Sequence, residues 1–251
     1  MKRFVLIAFI STSLSAFGGV SILSDLDDTI KITQSSGNVI DYIASDVFTG
    51  MPEFFKASQD HTNELHILSA SPTILREKIK LGLKKHHIEF QSLVLRKNVM
   101  EEKFIYKVRE IKKIMEKNSD DFILIGDDYG QDPEVYAEIK RLFPDRIKSA
   151  YIHVIKGRNL PQAVTAYWTS FDLFLREHIK QRINPGWIDQ AARILLREKD
   201  FRKIFPKKAL CPTEARIFEW QLLTVFQVEA YEVTKKITDS CRAIRSSILI
   251  L

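Results

Sequence analysis

Apolar residues follow two rhythms along this chain. Short continuous runs rich in β-branched residues alternate with longer stretches where apolar positions return every three or four residues. The run "GVSILSD" predicts a buried strand that ends on acids. "ELHILSASP" repeats the pattern, with a strand near Leu65 to Leu68 and then small polar residues. Pro72 suits a helix start, and the helix is expected to run to about Lys85 with Ile74, Ile79, Leu81 and Leu83 as its apolar positions. "FQSLVLR" predicts a third strand. "MEEKFIYKVREIKKIMEKN" predicts an amphipathic helix with Phe104, Val108, Ile111 and Met115 at helical spacing. "DFILIGDD" predicts a fourth strand, again ending on acids, and "DPEVYAEIKRLFP" a helix with Pro133 in its first turn and a stop at Pro144. "IKSAYIHVI" predicts a fifth strand.

Strands alternating with helices predict an α/β fold, a parallel sheet flanked by helices. Ligands of such sheets sit beyond the carboxyl ends of the strands. The clusters "DLDD" and "GDD" and the Ser69–Ala70–Ser71 turn all fall there, so three polar loops distant in sequence should meet at one edge.

Past Leu160 the pattern becomes helical, broken by Pro185, Pro206 and Pro212. Residues 161–251 are expected to form an α-helical region packed on a sheet domain of residues 19–160. Core-facing stripes account for its apolar periodicity, with peripheral membrane contact as a second role open to it. Residues 1–18 have the order of a signal peptide: Lys2 and Arg3, an apolar run from Phe4 to Leu14, then small residues with Ala16 and Gly18 spaced for cleavage. Such a segment would export the protein, to the periplasm or beyond the cell. A buried N-terminal strand in a cytoplasmic protein is the alternative.

Composition changes this picture little. Of 251 residues, 45% are hydrophobic and 28% charged, an ordinary globular mixture. The formal charge of +6 suits a phosphate-bearing substrate or an anionic membrane, though the basic residues are spread along the chain. No nucleic-acid-binding signature and no internal repeat is found. Cys211 and Cys241 would form a disulfide in an exported protein, or stand as small core residues in the cytosol.

The chemistry lies in "SDLDDTIKIT". Asp25, Asp27 and Asp28 crowd like charges, which calls for a cation. An EF-hand loop starting at Asp25 needs Gly at its sixth position and Glu at its twelfth, where the chain has Ile30 and Ser36. An aspartate can instead attack phosphorus, given a divalent cation and a proton donor for the leaving alcohol. On this reading Asp25 is the nucleophile and Asp27 the general acid and base, while Thr29 steadies the loop and Asp28 points away. Asp127 is the expected metal ligand beside Asp25. Asp132 would ligate directly, act through water, or orient the other ligands, and a helix N-cap is a role it could fill at the same time. Ser69 and neighbouring backbone amides such as that of Ala70 would hold a phosphoryl oxygen. A lysine is needed to offset charge, and Lys97, Lys103 and Lys107 are candidates.

In order, D-x-D-x-T, a strand-end Ser, a Lys and "GDD" with a later Asp resemble the haloacid-dehalogenase-like phosphotransferases. "TGMPEFF", "LSASP", "LVLR", "FILIGDDYGQDPEVY" and "DRIKSAYIHVI" resemble, more narrowly, the phosphatidate phosphatase catalytic domain of the actin-patch-protein type, over roughly Gly19 to Asn159. The resemblance implies a Rossmann-type parallel sheet and Mg²⁺-dependent hydrolysis of phosphatidate to diacylglycerol. It implies Asp25 and Asp27 as catalytic residues, Lys107 as the stabilising lysine, Ser69, Ala70 and Thr29 at the substrate, and Asp25, Asp27, Asp127 and Asp132 at the metal. Two positions depart from the family pattern: Asp128 where "GDSG" has Ser, and Tyr106 where His often precedes the lysine. Cap domains of the superfamily are inserted between these motifs, and the gap from Thr29 to Ser69 is too short for a sizeable one. The site should therefore be open, which suits a large or membrane-borne ester. A soluble phosphoester substrate and a non-catalytic interaction protein of the same fold are the alternative readings. The oligomeric state is not legible.

Overall fold

A computed structural model describes residues 19–33, 46–62, 64–205 and 226–248. The expected signal segment and Cys211 lie outside the described residues. Cys241 is buried and is not a free thiol.

Six strands form one parallel sheet: β1 (Val20–Ser24), β2 (Leu65–Pro72), β3 (Ser92–Arg96), β4 (Asp121–Asp127), β5 (Ile147–His153) and β6 (Thr165–Tyr167), in the order β3-β2-β1-β4-β5-β6. The α/β fold expected from the pattern is therefore present. Strand order reverses at the β1/β4 boundary: the chain moves outward from β1 through β2 to β3, then returns to lay β4 on the other side of β1.

Side-chain alternation assigns each strand residue to a face. Ile22, Ile67, Ile123 and Ile125 join one core, against α1 (Met51–Ser58), α2 (Arg76–Lys85), α5 (Ser170–Ile179), α6 (Gly186–Arg197) and α8 (Gln227–Ile248). Leu23, Leu68, Leu124 and Ile152 join the other, against Tyr106, Ile111 and Met115 of α3 (Lys103–Lys117) and Val135, Tyr136 and Ile139 of α4 (Asp132–Leu142). α7 is a single turn, Phe201–Ile204. Both faces are covered, which is why the strands read as continuous apolar runs. Phe171, Phe174, Ile188, Ala191, Leu195, Ala230 and Val233 of the C-terminal helices belong to the first core. No helix among the described residues is long and apolar enough to cross a membrane.

Two elements differ from expectation. β2 continues to Pro72 with a register shift after Ser69, and a 3₁₀ turn (Thr73–Leu75) precedes α2 at Arg76. The residue before a proline is pushed to extended backbone, and Pro72 is itself extended, so "SASP" prolongs the strand instead of opening the helix. The sheet also gains β6 from a stretch read as helical. Its three residues, of which only Tyr167 is buried, are too few to show a period.

Candidate active site

The β1/β4 boundary brings the acids together. Ser24 pairs with Ile125, and the Asp25 amide donates to the Ile125 carbonyl at 2.8 Å. Asp25 and Asp127 thus lie side by side beyond the carboxyl ends of the two central strands, at the reversal of strand order where ligands of such sheets bind. Asp132 opens α4 behind a short loop. Carboxylate oxygens of Asp25, Asp127 and Asp132 lie within 4.8 Å of one another, and all three side chains are buried. A Cβ on Gly126 would stand 2.5 Å from Asp132 Oδ2 and 2.8 Å from its Cβ, so only glycine lets Asp132 approach the strand this closely. Gly126→Ala is expected to displace Asp132 and weaken divalent-cation binding about 10- to 100-fold, measured by calorimetric titration, with the fold retained.

Charge in this cluster is unevenly met. Lys107, buried on the first turns of α3, donates to Asp25 Oδ1 at 2.6 Å and makes a short ion pair with Asp132 Oδ1. Burial opposes the ammonium, but Asp132 and Asp25 outweigh that and raise its pKa above the ordinary lysine value. One cation against three carboxylates leaves excess negative charge. Burial pushes Asp25 up to about 7; Lys107 pulls it down, while Asp132 and Asp27 add to the rise. Asp127 is raised well above the carboxylate range by burial, then by Asp132 and Asp25. Asp132 Oδ2 is buried and has no partner among the described residues. Hard oxygen donors with surplus charge and an orphaned oxygen fit a small divalent cation.

The remaining site groups hold one another. Asp27 Oδ2 accepts from Ser69 Oγ at 3.1 Å and Ser71 Oγ at 2.8 Å, which fixes the carboxyl plane. Asp27 stands outside the three-acid cluster. Ser69 Oγ also accepts from the Ser71 amide at 3.0 Å, and Tyr106 donates its hydroxyl to the Ser69 carbonyl at 3.2 Å. Thr29 donates to Asp127 Oδ2 at 3.3 Å, while Asp127 Oδ1 accepts the amides of Tyr129 and Gly130. Asp28 has the left-handed φ of 57° that Asp tolerates, and its Oδ1 accepts the Thr33 amide. Its carbonyl faces the ring of His153, whose pKa burial lowers to about 4.

A cleft of about 280 Å³ opens over these groups, lined by Asp25, Asp27, Asp127 and Asp132 together with Ala70, Ser71, Arg96, Lys103, Tyr129 and Gln131. Lys107 lies in its wall. Of the other two candidate lysines, Lys103 lines the cleft and Lys97 does not. Ser69 and Thr29 are fully buried beneath it, whereas Ala70 lines it. Sequence reasoning placed Ser71 at this edge but did not single out Arg96 or Gln131. A larger cleft of about 650 Å³ lies at the opposite edge of the sheet, beside Glu64, His66 and Asp120, and its acids are engaged locally, as in the 2.6 Å bond from Ser21 Oγ to Asp120.

The family model described as "Phosphatidate phosphatase APP1, catalytic domain" matches residues 20–154. An uncharacterised protein of Schizosaccharomyces pombe is 25% identical over 150 residues, and phosphatidate phosphatase APP1 of Saccharomyces cerevisiae is 29% identical over 154. Each match covers 53% of this chain, and the chain spans only about a quarter of these relatives, 25% and 26% of their lengths. Among solved structures, the Pnkp1/Rnl/Hen1 complex is similar at a TM-score of 0.40 and 18% identity, over 64% of this chain and 50% of that one. A likeness that loose carries no argument here.

Proposed function

Because the chain belongs to the family of the phosphatidate phosphatase APP1 catalytic domain, we propose that it hydrolyses a phosphomonoester through an aspartyl-phosphate on Asp25, with phosphatidate as the substrate. One observation carries the reading: a buried cluster of Asp25, Asp127 and Asp132, only partly neutralised by Lys107, stands beside an Asp27 oriented by two serine hydroxyls.

The Asp25 carboxylate attacks phosphorus, and the ester P–O bond breaks as the Asp25 O–P bond forms. Protonated Asp27 donates its proton to the departing alkoxide, giving the alcohol, diacylglycerol when the substrate is phosphatidate. Asp27 then takes a proton from water, whose oxygen attacks phosphorus and releases phosphate from Asp25. Lys107 favours the ionised form of Asp25 for the first step and faces the negative charge of the second. We assign Mg²⁺ to Asp25, Asp127 and Asp132; when bound it neutralises the approach of one anion to another. Ser69 and Thr29 act beneath the cleft, by holding Asp27 and Asp127. Ala70, Ser71, Arg96 and Lys103 meet the substrate's phosphate.

The test is phosphate release from phosphatidate in mixed micelles, with Mg²⁺ and with chelator. Release that needs Mg²⁺ is expected. Mg²⁺-dependent release from an aryl phosphate but not from phosphatidate would keep the chemistry and discard the lipid.

A pH dependence follows from Asp25. Its pKa in the metal-free protein is raised to about 7, so below that pH a proton occupies the carboxyl and a cation must displace it. Mg²⁺ affinity should therefore rise with pH up to about 7, by about tenfold per unit for each displaced proton. Titration of Mg²⁺ in buffers of different ionisation enthalpy would read the released proton directly. Affinity independent of pH between about 5 and 7 would contradict the raised carboxyl.

A further inference from the structure

Ten large apolar side chains are exposed among the described residues, and half of them stand on loops, a 3₁₀ turn or the opening turn of α3 next in sequence to residues that line the acidic cleft. Ile74 follows Pro72 in the turn after β2 and is 86% exposed. Val99 and Met100, 52% and 88% exposed, occupy the loop between β3 and α3, with Arg96 on one side and Lys103 on the other. Ile105 lies on the first turn of α3, and Tyr129 follows β4. Pro72, Arg96, Lys103 and Tyr129 all line the cleft, so these tips belong to the same loops as its walls. Single exposed apolar residues are ordinary; a group of them around one opening marks an interaction surface.

Charge on this edge narrows the partner. Lys97 and Lys103 are exposed on either side of Val99 and Met100, and Lys156 is exposed on the connection after β5, against Tyr129. The neighbouring acids are engaged within the protein: Glu101 pairs with Arg109, Glu102 caps the α3 amides of Phe104 and Ile105, and Glu134 pairs with Arg158. Lys156 stands 4.2 Å over the ring of Tyr129, an aromatic and cation pair suited to the boundary between headgroups and acyl chains.

We infer that the rim formed by Ile74, Val99, Met100, Ile105 and Tyr129 is a membrane-docking surface that inserts its apolar tips into an anionic lipid bilayer and sets the cleft mouth against the headgroups. The inference rests on the phosphomonoesterase reading for the orientation of the cleft, and on the rim itself for the lipid. Apolar insertion and attraction of lysines to anionic lipid act together, as in other peripheral contacts. A lipid phosphomonoester can then reach Asp25 with its acyl chains still in the bilayer.

The test separates docking from chemistry. The full chain is sedimented with vesicles of phosphatidylcholine alone, or with about one-fifth phosphatidylserine, a lipid that is not a phosphomonoester. Wild type should bind the anionic vesicles and largely ignore the neutral ones. The triple variant Ile74→Asp, Val99→Asp, Met100→Asp should lose about tenfold or more in partitioning while hydrolysing an aryl phosphate within about twofold of wild type. In a second measurement, Met100→Trp should shift its added fluorescence to the blue on vesicle addition.

Absent vesicle binding by wild type, or equal binding by the triple variant, overturns the docking surface, and intact aryl phosphate turnover then leaves the chemistry standing. Rim-dependent binding with no phosphoester turnover upholds the surface and discards the chemistry. A blue shift in the Met100→Trp variant that needs another protein and no lipid overturns the bilayer as the occupant.

Discussion

Asp25→Asn is expected to lower kcat for phosphate release by about 10⁴-fold or more, because the amide cannot form the acyl-phosphate bond that splits the reaction into two steps. The substitution is nearly isosteric and removes a carboxyl whose charged form burial already disfavours. Lys107 keeps its second partner, Asp132. Thermal stability should therefore stay within a few degrees of wild type, which makes the loss a statement about chemistry. Retention of more than about a tenth of the activity would remove Asp25 from the nucleophile's role.

Lys107→Met should act on both stability and rate. The side chain is buried, and its ammonium contacts Asp25 and Asp132, which sit close to Asp127. Removing one partner of a buried pair leaves uncompensated charge, a cost of about 3–5 kcal/mol. The carboxyls relieve this by taking up protons. The cost should accordingly be largest near pH 8 in chelator, shrink near pH 5, and be partly offset by Mg²⁺. In the sign convention of linkage, carboxyls raised further in the folded state lose stability as pH climbs from their unfolded value toward the folded one. Denaturant titrations at the two pH values, with and without Mg²⁺, measure this. A loss equal at both pH values would mean that Lys107 contributes packing alone.

Much of the fold was legible because buried strands and amphipathic helices write their periods into the chain. The placement of "DLDD", "SAS" and "GDD" at strand ends was enough to bring Asp25, Asp27, Asp127 and the serines to one edge. The lysine was harder. Lys103 and Lys107 are one turn apart on α3 and share a face, so spacing alone leaves both. Depth separates them: Lys103 opens the helix in solvent, and Lys107 sits where α3 packs against β2 and α4. Adjacent acids were also beyond sequence reasoning. Asp127 turns to the cleft, while Asp128 accepts four backbone amides, those of Ile155, Lys156, Gly157 and Arg158, at 2.6–3.1 Å. Nothing in "GDD" announces that the second acid organises a loop nearly thirty residues away. β6 escaped because three residues carry no period.

The pairing of β1 with β4 has a kinetic corollary. Val20 is in register with Asp121 and Ser24 with Ile125, a separation of about a hundred residues. Closing a loop of that length is slow compared with forming the local helices, and the intervening β2 and β3 lie on the far side of β1. A nascent chain that has emerged only as far as α3 holds Asp25, Asp27 and Lys107 but has no partner strand to bring Asp127 beside them. The proposed cation site therefore cannot assemble before β4 has joined β1. On the proposed function, divalent-ion binding would be a report that the longest-range strand pairing of the sheet has been made.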